Sequence, residues 1–221
     1  MKRLTPTQQE YLKIAELFLW AEAQDFTCWF TDEWKPWKRT QYNLPRTVEK
    51  GALTSVRHGK KFVYSVGKKR ANNKADIEHG LICTKSLLKF KLARDGKFIS
   101  EKFFRTIKLG SVPEWGVKYD DQLFLFEYST ADNFRRTRVM KKKIKQYVTS
   151  IPRFENYFNK EVIVLFVFDA ERYQVKYFFE KYGQYPHFYF CDLASFNEVE
   201  IGNQLSAPIY FWMDGGSYPL T

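Results

Sequence analysis

Apolar positions recur at helical spacing near the start of the chain. Thr5-Pro6 followed by Thr7 and Gln8 reads as a helix start, and Leu12, Ala15, Leu17, Leu19 and Trp20 carry an apolar face on to about Ala23. A short second helix is expected within Phe26–Thr40, ending before Pro36. A third, of about two turns, is expected over Asn43–Lys50: Asn43 caps it, Pro45 suits its first turn and Gly51 ends it.

The period then shortens to two. Leu53–Val56 and Lys61–Val66 flank Arg57-His58-Gly59-Lys60, which predicts a β-hairpin with a cationic turn. Gly67–Lys74 is polar and aperiodic, as a linker would be. Ile77, Leu81, Leu87 and Leu88 predict a helix over Asp76–Phe90. Strands are expected at Phe103–Ile107, Trp115–Tyr119, Gln122–Tyr128, Glu161–Phe168 and Phe188–Leu193, and helices at Phe134–Ser150 and Glu171–Tyr182. The unbroken run Val162–Phe168 suits a central strand buried on both faces. This succession predicts an α/β fold, a mixed sheet with flanking helices, behind a small N-terminal domain. The change of pattern divides the chain into residues 1–72 and 73–221.

Charge and composition narrow the function. Among 221 residues the formal net charge is +11, which points toward a polyanionic partner and away from an acidic carrier or calcium role. Cys28, Cys83 and Cys191 are odd in number, far apart and without metal-ligand spacing, so neither a disulfide framework nor a zinc site is expected. No apolar stretch approaches the ~20 residues that cross a bilayer, and no signal segment opens the chain. A cytoplasmic protein without a membrane partner is expected. Most of the aromatics lie in apolar runs, which suits core packing.

Helices, a short polar helix and then a basic hairpin form an order that resembles the winged helix. That pattern places the last helix in the major groove and the hairpin on phosphates. It implies DNA contacts from Arg46, Thr47 and Lys50 on the helix, from Arg57, His58, Lys60 and Lys61 on the hairpin, and from Lys68, Lys69 and Arg70 in the linker. Arg135, Arg136 and Arg138 open a second basic run, continued by Lys141, Lys142, Lys143 and Lys145; it is either a solvated face or a phosphate track.

One constellation offers chemistry. Val112-Pro113-Glu114 precedes a turn at Asp120-Asp121 and the apolar strand that ends in Glu127. Two carboxylates facing each other on such a hairpin can hold Mg²⁺ or Mn²⁺ for phosphodiester cleavage. Equally, they can be ordinary strand-end acids. The arrangement resembles the PD-(D/E)xK nuclease core, hence a restriction-endonuclease-like domain, and Glu78 matches the additional acid many members carry on the preceding helix. Glu114 stands where aspartate is commoner, and Ser129 where the motif's lysine is expected. Lys141 or Lys145, on the following helix, could supply that lysine, as in branches where it has migrated.

From Leu4 onward the order of elements resembles the replication-relaxation family of plasmid and mobile-element proteins. The matching residues are Glu78-His79-Gly80-Leu81, Pro113-Glu114 with Glu127, Lys141 to Tyr147, and Ile209–Trp212. The resemblance implies a double-stranded-DNA-binding protein acting in replication or its control, as a homodimer or with a replication protein. Two alternatives stay open: a Mg²⁺-dependent endonuclease, and a winged-helix repressor or interaction module using the aromatic segment Phe26–Trp37.

Overall fold

The computed structural model describes residues 3–32, 37–66, 74–93, 95–182, 185, 187–198, 209–213 and 216–220. The chain is mixed α/β and separates into two units, Met1–Arg94 and Asp95–Thr221.

The first unit comprises α1 (Pro6–Ala15), β1 (Ala21–Glu22), α2 (Ala23–Thr31), α3 (Lys38–Glu49), β2 (Leu53–His58), β3 (Lys61–Val66) and α4 (Lys74–Ala93). Its antiparallel sheet runs β1-β3-β2. α1 begins with a capping box: the Thr5 hydroxyl accepts from the Gln8 N–H, and the Gln8 side chain accepts from the Thr5 N–H. It ends at Ala15, not near Ala23, because Ala21 and Glu22 pair with Tyr64 and Val63 as a short strand. α3 starts five residues before Asn43 and takes Pro45 into its interior. Buried hydroxyls join the three helices: Tyr11 Oη and Thr27 Oγ1 both lie within hydrogen-bond distance of Thr40 Oγ1, at 3.0 and 3.1 Å.

The expected boundary at 72/73 moves to 94/95. α4 belongs to the first unit because Ile77 and Leu81 complete a core with Trp20 and Val63. Gly80 is what lets the helix approach: a Cβ there would lie 2.6 Å from the Trp20 indole and 3.1 Å from Leu19 Cβ.

The second unit comprises β4 (Lys97–Ser100), α5 (Glu101–Ile107), β5 (Trp115–Lys118), β6 (Gln122–Ser129), α6 (Ala131–Arg135), α7 (Thr137–Phe158), β7 (Glu161–Phe168), α8 (Arg172–Tyr182), β8 (Phe188–Asp192), α9 (Leu193–Glu198), β9 (Ile209–Met213) and β10 (Gly216–Leu220). Five strands in the order β8-β7-β6-β5-β4 form its mixed sheet, extended beyond β8 by the β9–β10 hairpin. β6, β7 and β8 are parallel, while β5 runs antiparallel to both of its neighbours, β4 and β6. As the apolar run implied, β7 spans Glu161–Phe168 and is buried from Val162 onward. One face of the sheet carries Leu123, Leu125, Val164 and Phe166, covered by Met140, Ile144, Tyr147 and Ile151 of α7. The segment expected as a strand at Phe103–Ile107 is instead helix α5. Ser100 caps it, accepting from the Phe103 N–H, and Phe104 fills the space over Gly116, where a Cβ would meet its ring at 2.7 Å. Among the described residues no helix is long and apolar enough to cross a membrane.

Candidate functional site

Register decides how the two expected carboxylates meet. Trp115 pairs with Phe126 across β5 and β6, and the Glu114 N–H also donates to the Phe126 carbonyl at 3.0 Å, one residue out of that register, so the regular ladder ends at Trp115. Glu114 stands close enough to the end of β6 for its charge to act on Glu127. Strand side chains alternate between faces. Trp115 and Phe126 stack at 4.8 Å on one face, which sends Glu127 to the other, beneath α7.

Glu127 is fully buried and both of its oxygens are engaged. Lys143 Nζ donates to Oε1, and the Tyr147 hydroxyl donates to Oε2 at 2.7 Å. Lys143 and Tyr147 are one helical turn apart on α7, so both reach the same strand residue. Burial pushes the Glu127 carboxyl up to about 7; the Lys143 charge pulls it down, and Glu114 pushes it up. Tyr147, also fully buried, is driven well above its ordinary value by burial and then by the Glu127 charge.

The lysine that meets Glu127 is therefore neither Lys141 nor Lys145. Lys141 is half-buried and Lys145 exposed, each a turn or less from Lys143 but off the line that points at β6. Helical phase could have identified the right one: Met140, Ile144, Tyr147 and Ile151 mark the buried face, and Lys143 borders it three residues from Met140 and four from Tyr147. Ser129, where the nuclease motif has lysine, is buried and donates to Met140 Sδ at 3.2 Å.

Glu114 and Glu127 offer carboxylate oxygens, which hard cations take, but both Glu127 oxygens are already engaged by Lys143 and Tyr147. Such an ion would share Glu127 with Lys143 or displace it. The third expected acid, Glu78, is exposed on α4 of the first unit, 3.4 Å from Lys74.

The expected DNA-contacting residues separate into exposed and committed. On α3 only Arg46 faces outward, its guanidinium 3.5 Å from the Tyr42 ring centroid. Thr47 does not: it is buried and donates to the Asn43 carbonyl at 2.7 Å. Lys50 is half-buried, and its ammonium donates to the Arg3 carbonyl at 2.9 Å and to Gln8 Oε1 at 2.7 Å. α3 buries the stripe Thr40, Leu44 and Thr47, which leaves Tyr42, Arg46 and Glu49 facing outward. On the hairpin Arg57 and Lys60 are exposed and His58 half-buried, while Lys61 pairs with Glu22 at 2.6 Å. Lys68, Lys69 and Arg70 lie outside the described residues. Arg135, Arg136 and Arg138 are exposed, with Arg135 4.0 Å from Asp132. Phe26, which opens the aromatic segment, is fully buried against Tyr11, Phe18 and Tyr64.

Sequence reasoning also missed Asp25. It is buried, its Oδ2 accepts from the Glu22 N–H at 2.7 Å, and its Oδ1 has no hydrogen-bond partner. Burial first of all pushes it from 3.8 to about 7. The chain matches no family model, no curated protein and no solved structure.

Proposed function

We propose that the chain is a double-stranded-DNA-binding protein of a plasmid or other mobile element, acting in its replication or in the control of replication. The observation that carries this reading is the topology of the first unit, α1-β1-α2-α3-β2-β3 with sheet order β1-β3-β2, ending in a hairpin turn whose exposed charges, Arg57 and Lys60, are cationic. A winged helix has this order, and its function follows from an exposed helix face and a cationic wing. The order of motifs from Leu4 onward, similar to replication-relaxation proteins, supports the biological setting.

The test is a salt titration of duplex binding by fluorescence anisotropy. Each lost phosphate contact lowers the log–log slope by roughly 0.9 on duplex DNA, so Arg57→Ala with Lys60→Ala is expected to lower it by about 1.8. An unchanged slope and affinity in the double variant would remove the basis of this reading.

A second reading, a metal-dependent DNA endonuclease built on a PD-(D/E)xK-like second unit, is favoured by the Glu114 charge acting on Glu127 and by Lys143 reaching that acid from α7. Here Glu114 and Glu127 would hold Mg²⁺ or Mn²⁺, whose charge activates water and screens phosphate. Lys143 would hold a positive charge beside the phosphate, and Tyr147 would orient Glu127. Nicking of supercoiled plasmid with Mn²⁺ that disappears in both Glu127→Gln and Lys143→Met, with Mn²⁺ binding lost in the first, would establish it. Intact plasmid under all these conditions leaves the second unit architectural.

A further inference from the structure

α3 presents little with which to read a base sequence, and that scarcity is informative. With Thr47 and Lys50 turned inward, Arg46 remains as the outward cation in the second half of the helix. Arg39, at its start, donates to Thr7 Oγ1 at 3.0 Å and lies over the Trp37 ring.

Arg46 is held before any partner arrives. Its guanidinium lies over Tyr42, one turn back and itself 54% exposed. Stacking uses the flat face of the guanidinium and leaves its in-plane N–H donors free. It also restricts a side chain whose free rotamers would otherwise cost binding entropy. What is presented to solvent is a fixed planar fork.

Two acceptor pairs on duplex DNA fit such a fork: two oxygens of one phosphate, or O6 and N7 of guanine in the major groove. Glu49 separates them. It is exposed and three residues beyond Arg46, on the same stripe. A carboxylate there repels a phosphate held by Arg46, whereas it can accept from a cytosine amino group. We infer that Arg46 is the sequence-reading residue of the first unit, donating to O6 and N7 of a guanine, with Tyr42 as its positioning residue. This rests on the proposed DNA-binding function.

The experiment is selection from a random duplex library by the full chain and by Arg46→Ala, Arg46→Lys and Tyr42→Ala, followed by affinity measurement across salt. The wild type is expected to select a motif containing a guanine whose replacement weakens binding roughly tenfold to a hundredfold. A guanine analogue with C–H in place of N7 at that position should reproduce the loss. Arg46→Ala and Arg46→Lys should lose discrimination at that base alone; the lysine variant keeps the charge and the salt slope, which also decides the matter if the alanine variant folds poorly. Tyr42→Ala should weaken the same preference without moving it to another base. A uniform loss over all duplexes with a slope lower by about 1 in Arg46→Ala would mean a phosphate contact and overturn the inference. Duplex retention with no selected guanine would also overturn it while leaving the DNA-binding reading standing, and no duplex retention by the wild type would overturn both.

Discussion

Replacing Glu127 by glutamine is expected to stabilise the second unit at pH 8 and to leave it almost unchanged at pH 4. The ionised acid is the unfavourable form in the fold, because the displacement from 4.5 to about 7 is net of the help from Lys143 and Tyr147. Both folded and unfolded chains are protonated below the unfolded value and both are ionised above the folded one. Stability present at low pH is therefore lost as pH rises through that window. A displacement of this size corresponds to ~3 kcal/mol between the two limits. Glutamine mimics the protonated acid and can still accept from the Tyr147 hydroxyl, while the Lys143 ammonium, its side chain 32% exposed, can turn toward water. Because that displacement already includes the Lys143 and Tyr147 bonds, the gain at pH 8 is expected at ~3 kcal/mol. Urea denaturation at several pH values measures it. Asp25 in the first unit titrates in the same sense, so the informative quantity is the difference between variant and parent, from which its share cancels. A difference that stays flat from pH 4 to pH 8, or falls, would refute the reasoning.

Tyr147→Phe should cost about 1–3 kcal/mol at pH 8 in the same assay, because it leaves a buried carboxylate oxygen without its donor. Gly80→Ala should lower the thermal midpoint of the first unit. The new methyl meets Trp20 and Leu19, and overpacking of about 1–3 kcal/mol outweighs the ~1 kcal/mol gained in helix propensity. Thr47→Val should leave duplex affinity unchanged within twofold by anisotropy; its hydroxyl is spent on the Asn43 carbonyl, and a clear loss of affinity would mean that Thr47 faces DNA after all.

Where the sequence could be read, it was read from features that act locally. The apolar run of β7, the capping box of α1 and the glycine turn between β2 and β3 each depend on residues within a few positions of one another. The errors arose where distant packing decides. Phe103 and Phe104 look like strand residues, but a serine cap and the hole over Gly116 make a helix in which Phe104 is buried and Phe103 remains 40% exposed. α4 follows a polar linker, yet it belongs to the unit before it through Trp20 and Val63. At the candidate site the two acids were legible as neighbours because a short hairpin brings the start of one strand beside the end of the next. The lysine was not, since choosing Lys143 over Lys141 or Lys145 requires the phase of α7, and that phase is set by Met140 and Ile151 against a sheet that forms from remote strands.

The parallel pairing of β6 with β7 also bears on the order in which the molecule can assemble. β5 and β6 are neighbours in the chain and can zip together early, whereas β7 reaches β6 only after α7 has crossed between them. Until then Glu127 stands on a bare hairpin, hydrated and ionised above its ordinary value near 4.5. Docking of α7 is the step that strips its water and delivers Lys143 and Tyr147 together. Late condensation of the second unit should thus run faster at pH 5 than at pH 8, while formation of the hairpin itself is indifferent to pH. The carboxylate that marks the candidate site would then act as a brake on the last stage of folding.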